Sequence, residues 1–406
     1  MEAEALYALR DPAGIPFYPV VFMILGVLTF AMHIFAVQLM LGATGMTLFG
    51  SFAGHDHWRR LSGAMLDVAK ISVSVAIVLG VAPLLFVQVT YDPFWYTSNV
   101  LSASWVIGFV VILIVGYWSM YLYYFRNKGR EPGSIPRSRW AMAVSLALLL
   151  VVGFIMHVLT VQMLYPEQWM QWYAPQDRLD TSGSGLYAFN LLRFLFFISF
   201  AVPVVGSWLV AYRRYFSVRQ DVDREYLEWV GQLGGRLMQF GMVVTLILGI
   251  LWMTSLPDKV ADFATSPWVW ISALALVGLL GIGALIRRQL HAWGYWAIGL
   301  TAVAGLVVAV SREALRWVNL KGVHGYNILD YKVNMDWYST ILFFATFAIV
   351  GGSVLAYLIT VAWRAGQTEG VYTPGPVVRR MGAISAGLIV LWIVQYFVVG
   401  FVVWAR

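Results

Sequence analysis

The chain contains no cysteine. That excludes disulfides, iron–sulfur clusters and covalently attached c-type haem, all of which need the thiol. Charge is scarce too: 12% of the 406 residues are Asp, Glu, Lys or Arg, against about 25% in a soluble globular protein. No stretch has the alternating apolar and polar pattern of an outer-membrane barrel. The segment Met1–Pro16 holds Glu2 and Glu4 but no basic n-region, so it does not read as a cleaved signal peptide. There is no internal repeat and no long linker, and no span is broken midway by a Gly-Pro pair, with Pro83 and Pro203 standing as single kinks. Inverted repeats and broken spans mark many transporters, so that class is disfavoured. What the chain has instead is apolar residues, 60% of the whole. The expectation is an all-α, polytopic integral membrane protein, a single helical domain over residues 1–406.

A bilayer span needs about 20 mostly apolar residues. Ten such runs are predicted, at roughly 17–50, 64–91, 101–125, 139–164, 187–212, 236–256, 267–286, 291–311, 337–363 and 377–404. The odd-numbered loops carry Arg59 and Arg60; Arg126, Lys128, Arg130, Arg137 and Arg139; Arg213, Arg214, Arg219, Arg224 and Arg236; Arg287 and Arg288; and Arg364, Arg379 and Arg380. Even loops hold little beyond Arg178 and Lys259. Loop bias of this kind sets orientation and puts both termini outside. It also accounts for the net charge of +7 without nucleic acid. One outer loop breaks the pattern, with Arg312, Arg316, Lys321 and Lys332 between the eighth and ninth spans. It is either solvated or set to meet an anion. The other large outer loop, Tyr165–Tyr187, has Trp169, Trp172 and Tyr173, suited to the membrane interface.

Polar groups in hydrocarbon cost about 2.5 kcal/mol or more and are rarely kept without a use. Gln88, His157, Gln162 and Arg193 lie inside apolar runs, and Arg312, Glu313 and Arg316 end another. All fall toward the expected outer face. A buried Arg needs an anion or several acceptors, and no carboxylate stands near Arg193 in sequence. The one carboxylate inside a span is Asp67, near the inner face and one turn from Lys70. Of six histidines, His33 and His157 are flanked by apolar residues, as FAMHIFAV and FIMHVLTV. Neutral imidazole there suits an axial haem ligand, a partner for a quinol, or a helix-to-helix hydrogen bond. The His55-x-His57 pair is a weak metal signal without further ligands. His291 is interfacial by position and His324 belongs to the basic outer loop. Met32, Met40, Met46 and Met156 could ligate haem, although Met is more often core filler.

Two spans resemble a known family. MHIFAVQLMLGATG is similar to the first span of cytochrome bd quinol oxidase subunit I, with His33 on the haem-ligand position and Leu41 and Gly42 matching. LGVAPLLFVQVTYDPFW resembles the family's second span through Leu79, Gly80, Val81 and Ala82. Arg312 in VSREALRW looks like the Gly-Arg-Gln-Pro-Trp motif beside the quinol site. Arg236 and Met238, in GGRLMQFG, are a fainter likeness to the segment with the ligating Met. About a third of the chain is covered. The departures are chemical. Gln88 stands where the family has a carboxylate, Phe196 where a second ligating His is expected, and the outer quinol loop is short. The resemblance implies a distant bd-like subunit of a respiratory electron-transfer complex in the bacterial cytoplasmic membrane, without oxygen reduction. It would exchange electrons between membrane quinone and a redox partner at the outer face, such as a c-type cytochrome. His33, Gln88, His157, Gln162, Arg193, Arg312 and Arg316 would form the cofactor site, with His33 and His157 as candidate iron ligands for haem b. The alternative is a cofactor-free subunit that scaffolds redox partners.

Overall fold

Ten helices are long and apolar enough to cross a bilayer in a computed structural model that describes residues 3–130 and 134–405. Met1 and Glu2, the start of the segment read above as not a signal peptide, lie outside the described residues. The spans are α1 (Pro19–Phe52), α2 (Asp56–Thr90), α3 (Ala103–Asn127), α4 (Arg139–Gln162), α5 (Leu191–Phe216), α6 (Arg224–Thr254), α7 (Pro267–Arg288), α8 (Leu290–Val323), α9 (Trp337–Gly366) and α10 (Pro376–Trp404). Among the described residues there is no strand, only one isolated parallel bridge between Ile15 and Val333. The protein is an all-α polytopic membrane protein.

Seven spans end within about a turn of their expected limits, and three overshoot. α2 starts at Asp56 rather than 64, α6 at Arg224 rather than 236, and α8 runs to Val323 rather than 311. Hydropathy sees only the apolar part of a helix. A polar extension persists when caps and ion pairs satisfy it. Asp223 caps α6 by accepting from the backbone N–H of Glu225 at 2.9 Å, and Arg60 of α2 reaches the same carboxylate at 3.5 Å. With 35 residues, α2 is about 52 Å long at 1.5 Å per residue, well beyond the ~30 Å hydrocarbon core. Arg224 and Arg236 therefore sit on a helix rather than in a loop, as do Arg312, Arg316 and Lys321. The short loop before α2 leaves His57 in that helix's first turn, its ring 5.3 Å from Trp229 and 5.7 Å from Tyr226.

α5 is the axis of the bundle: 61% of its most apolar stretch is buried, against none in α9 or α10. It crosses α6 at a contact only glycine permits. A Cβ on Gly206 would lie 2.7 Å from the Gly234 carbonyl, and one on Gly234 would lie 2.6 Å from the Gly206 carbonyl. Small residues draw membrane helices together in this way. α1 packs along α2, and α7 and α8 close the other flank. The α9–α10 hairpin lies at the rim. Tyr215 at the foot of α5 touches it, its hydroxyl donating 2.5 Å to the Ala362 carbonyl.

One end of the bundle bears the Arg-rich loops; the opposite end is called the cavity end here. A folded cap covers it, built from the segment before α1, the helix Asp92–Leu101, the chain between α4 and α5, and residues 324–336. Ile15 N–H donates to Lys332 O at 2.9 Å, and Asn334 N–H to Ile15 O at 2.8 Å. The Arg10 guanidinium lies 4.4, 4.3 and 4.1 Å from the rings of Tyr7, Tyr326 and Tyr331. The Tyr331 hydroxyl donates to Asp92. Burial pushes the Tyr326 phenol up to about 12 against the opposing pull of Arg10. The aromatic loop residues are thus core as much as interface: Trp169 and Tyr326 are almost wholly enclosed.

Candidate site: a buried arginine cluster at the cavity end

Asn190 begins the site. It occupies the N-cap of α5, where a side-chain acceptor satisfies a free helical N–H, and its Oδ1 accepts from Arg193 N–H at 2.8 Å. Its Nδ2 donates to Ser255 Oγ at 3.1 Å, which ties α5 to the end of α6. That cap fixes the first turn and turns Arg193 into the bundle, where it is 9% exposed. Its guanidinium makes no hydrogen bond or ion pair among the described residues. Arg193 lines a cavity of about 60 Å³ with Tyr165, Asn190, Trp252, Arg312, Arg316 and Asn319.

The other two arginines come from α8. The Arg316 Nη1 lies 3.1 Å from Glu313 Oε2, and the Arg312 Nη1 lies 3.6 Å from the same oxygen. Their side chains are 8% and 10% exposed. Tyr91, just past the end of α2, donates its hydroxyl to the other oxygen of Glu313. Arg316 sits 4.8 Å from the Tyr91 ring centre and Arg312 3.9 Å from that of Phe30, contacts favourable to a cation. The Oδ1 of Asn319 is buried with no hydrogen-bond partner. Two guanidiniums therefore share one carboxylate, and that of Arg193 stands beside them without one.

The candidate residues from the sequence divide. Arg193, Arg312 and Arg316 come together. His157 borders them without lining the cavity. Its Nε2 accepts from the backbone N–H of Asn190 at 3.2 Å, so its proton sits on Nδ1 and the lone pair of Nε2 is engaged. Gln162 is fully used elsewhere: Nε2 donates to Ser102 Oγ at 2.9 Å and to Ser98 Oγ at 3.2 Å, and Oε1 accepts from Tyr187 N–H at 2.8 Å. It clamps the chain between α4 and α5. Gln88 is half-buried in the last turn of α2, away from the cavity lining. His33 lies between α1 and α2, with Nδ1 2.9 Å from Ala76 O. A carbonyl only accepts, so Nδ1 carries the proton and Nε2 keeps a lone pair, the tautomer suited to a metal. A Cβ on Gly80 would lie 2.9 Å from the His33 ring. The imidazole chemistry fits haem iron; His33 lines neither the cavity at the arginine cluster nor a second one of about 10 Å³ beside Phe30. Phe196, on the position of a second ligand, packs on Trp252 at 5.2 Å. Among the described residues no cluster of three or more His, Asp or Glu could hold a metal ion.

Tyr91, Asn190 and Asn319 complete the site and were not singled out from sequence; Glu313 was named with Arg312 and Arg316 at the end of an apolar run but not assigned to the cofactor site. Asn190 had a signal: an Asn three residues before Arg193 at the head of an apolar run is an N-cap pattern. Glu313 had one as well, three residues from Arg316.

At the surface beside the cavity, Lys259 Nζ lies 2.8 Å from Glu167 Oε1, and His324 Nε2 lies 3.5 Å from Oε2. Burial works to raise the Glu167 carboxyl, but the Lys259 hydrogen bond and charge outweigh it and hold the group below its ordinary value. Burial lowers His324, with Glu167 opposing.

No protein-family model matches the chain, and no curated protein matches it in sequence. In fold it is similar to the bd oxidase of Geobacillus thermodenitrificans, with a TM-score of 0.53 and 12% identity over 91% of this chain and 99% of that one. At that identity the likeness is one of fold. It agrees with the helical architecture expected from the first two spans.

Proposed function

We propose that the chain is a membrane subunit of a respiratory electron-transfer complex in the bacterial cytoplasmic membrane, and that a quinone exchanges electrons at its cavity end. The observation that carries this is the cluster of Arg193, Arg312 and Arg316 around a cavity, with one guanidinium unpartnered. Buried ionisable groups in a membrane span mark a ligand or charge pathway by default. The bd-oxidase fold supports the respiratory setting. An oxygen of the quinone ring would meet Arg193, with Arg312 and Arg316 beside it and His157 fixing Asn190 behind. The ring would lie at the mouth against Tyr165 and Leu256. Glu313 does not line the cavity; in this reading it holds Arg312 and Arg316 in place behind it. Gln88 and Gln162 support the walls in this reading rather than touch the ligand.

The cavity end would be the outer face, because the loop arginines gather at the other end. Reporter fusions after Arg219 should read as cytoplasmic and fusions after Lys259 as external; the reverse at both would remove the outer-face assignment. Exposed Lys321 and Lys332 at the cavity end would meet an acidic partner, a c-type cytochrome or another redox subunit. Haem b would be held at His33, and a reduced-minus-oxidised spectrum lost in His33→Ala is the test. No step of this proposal runs through haem. The quinone reading is tested with purified protein in nanodiscs: quinol should bind, and Arg193→Gln should weaken it with the fold intact. If quinol binding is absent from the unaltered protein, the cofactor-free scaffold reading takes its place.

A further inference from the structure

The cavity holds more positive charge than its walls balance. Arg side chains stay ionised in proteins. Among the described residues Glu313 is the only carboxylate within ion-pair distance of the cluster, and it already serves Arg316 at 3.1 Å and Arg312 at 3.6 Å. Its other oxygen accepts from Tyr91. Asn190 Oδ1, the nearest amide acceptor, is bound to the Arg193 backbone rather than to its side chain. So the Arg193 guanidinium, 9% exposed, faces the cavity without an acceptor, and the cluster of three cations and one anion keeps two uncompensated charges. An unpaired buried cation is strongly unfavourable. The orphaned Asn319 Oδ1 on the same wall is a second unmet polar group.

Size limits what can restore the balance. A cavity of about 60 Å³ holds about four to six water-sized atoms at 10–15 Å³ each. That admits one oxygen-bearing edge of a ring, or a compact oxyanion, rather than a whole substituted ring.

We infer that this site takes its ligand as an anion, through one ionised oxygen set against Arg193. The inference rests on the quinone reading above and narrows it to quinonoids whose inward oxygen is deprotonated. A neutral carbonyl on the same ring leaves both charges unmatched, whereas an ionised oxygen offsets one of them. Bonds to charged groups are about twice as strong as neutral ones.

The test uses the full chain in nanodiscs of zwitterionic phospholipid and two probes of the same ring, a hydroxynaphthoquinone ionised at neutral pH and its O-methyl ether. Isothermal titration should give tighter binding of the ionised probe by about 10- to 100-fold. Inorganic phosphate should compete with it. In Arg193→Gln the preference should collapse toward unity, while Arg193→Lys should retain part of it. If Arg193→Gln fails to assemble, the probe ratio and the phosphate competition in the unaltered protein still decide the matter. Equal affinity of both probes, with no effect of phosphate, would overturn the inference and leave the quinone reading standing. Phosphate binding with neither ring bound would uphold the anion site and overturn the quinone reading. No binding of any of the three would overturn both.

Discussion

Replacing Glu313 by Gln is the sharpest test of how the arginine cluster is held. The carboxylate lies 3.1 Å from Arg316 and 3.6 Å from Arg312. At an effective dielectric constant of about 20, each contact is worth about 5 kcal/mol of attraction before desolvation. Burying the charges offsets most of that, so the intact network adds little net stability. Removing the one anion is another matter. It leaves three enclosed guanidiniums with no counter-ion, and breaking a buried pair in this way costs about 3–5 kcal/mol. The Tyr91 hydroxyl loses its ionic acceptor as well. In a detergent-solubilised melt the loss should appear as a fall of roughly 4–6 °C. Glu313→Gln combined with Arg316→Gln should recover part of it, because the second change removes one stranded cation, with a coupling of about 1–3 kcal/mol. If Glu313→Gln melts within about 1 °C of the parent, and the two changes simply add, Glu313 is not the counter-ion and the charge argument fails.

Three further outcomes are expected. Gln162→Leu should strand the Tyr187 N–H at about 1–3 kcal/mol, while the Ser98 and Ser102 hydroxyls keep their bonds to the Leu159 and Gly185 carbonyls, and hydrogen exchange should speed up in residues 163–190 before the rest of the molecule loosens. Gly234→Val should separate α5 from α6, since the clash is with the Gly206 carbonyl at 2.6 Å and backbone cannot step aside; Gly234→Ala should be milder, and a full-yield, parent-like melt of the valine variant would count against the crossing. His324 is held below its ordinary value of 6.5 by burial, with Glu167 opposing and Lys259 reinforcing. The unfolded chain therefore takes up that proton first as pH falls, so stability is complete above 6.5 and declines below it. Melts between pH 6.5 and 4.5, above the range where Glu167 protonates, should lose this slope in His324→Gln.

The helices were legible because apolar length is a property of sequence alone. Their ends were not, wherever a helix continues past its apolar part. α8 is the telling case. Arg312, Glu313 and Arg316 read as the border of a span, yet the helix goes on to Val323, with Arg312 and Arg316 turned inward onto Glu313. Arg193, Arg312 and Arg316 were each visible as costly residues, but only the packing of α5 on α8 makes them one cluster. Gln162 looked the same in sequence and proved to be a clamp. A buried amide has no signature that tells a ligand contact from a loop tie; its partners lie in other segments. Tyr91, one residue beyond α2, could not be foreseen as the donor to a carboxylate more than 200 positions away.

The cap over the cavity end has a consequence for synthesis. Its N-terminal strip is fastened by residues more than 300 positions downstream: Tyr7 to Gly325 and Asp330, and Arg10 to Asn327. A ribosome adds about 5–20 residues per second, so roughly 16–64 s separate the emergence of the two halves of the seam. During that interval eight spans can enter the bilayer and pack, while the strip waits with its tyrosines and Arg10 unmatched. The arginine cluster is assembled late as well, since α8 delivers two of its three cations. The pocket thus gains its full set of arginines only when α8 is in place, shortly before the seam can close.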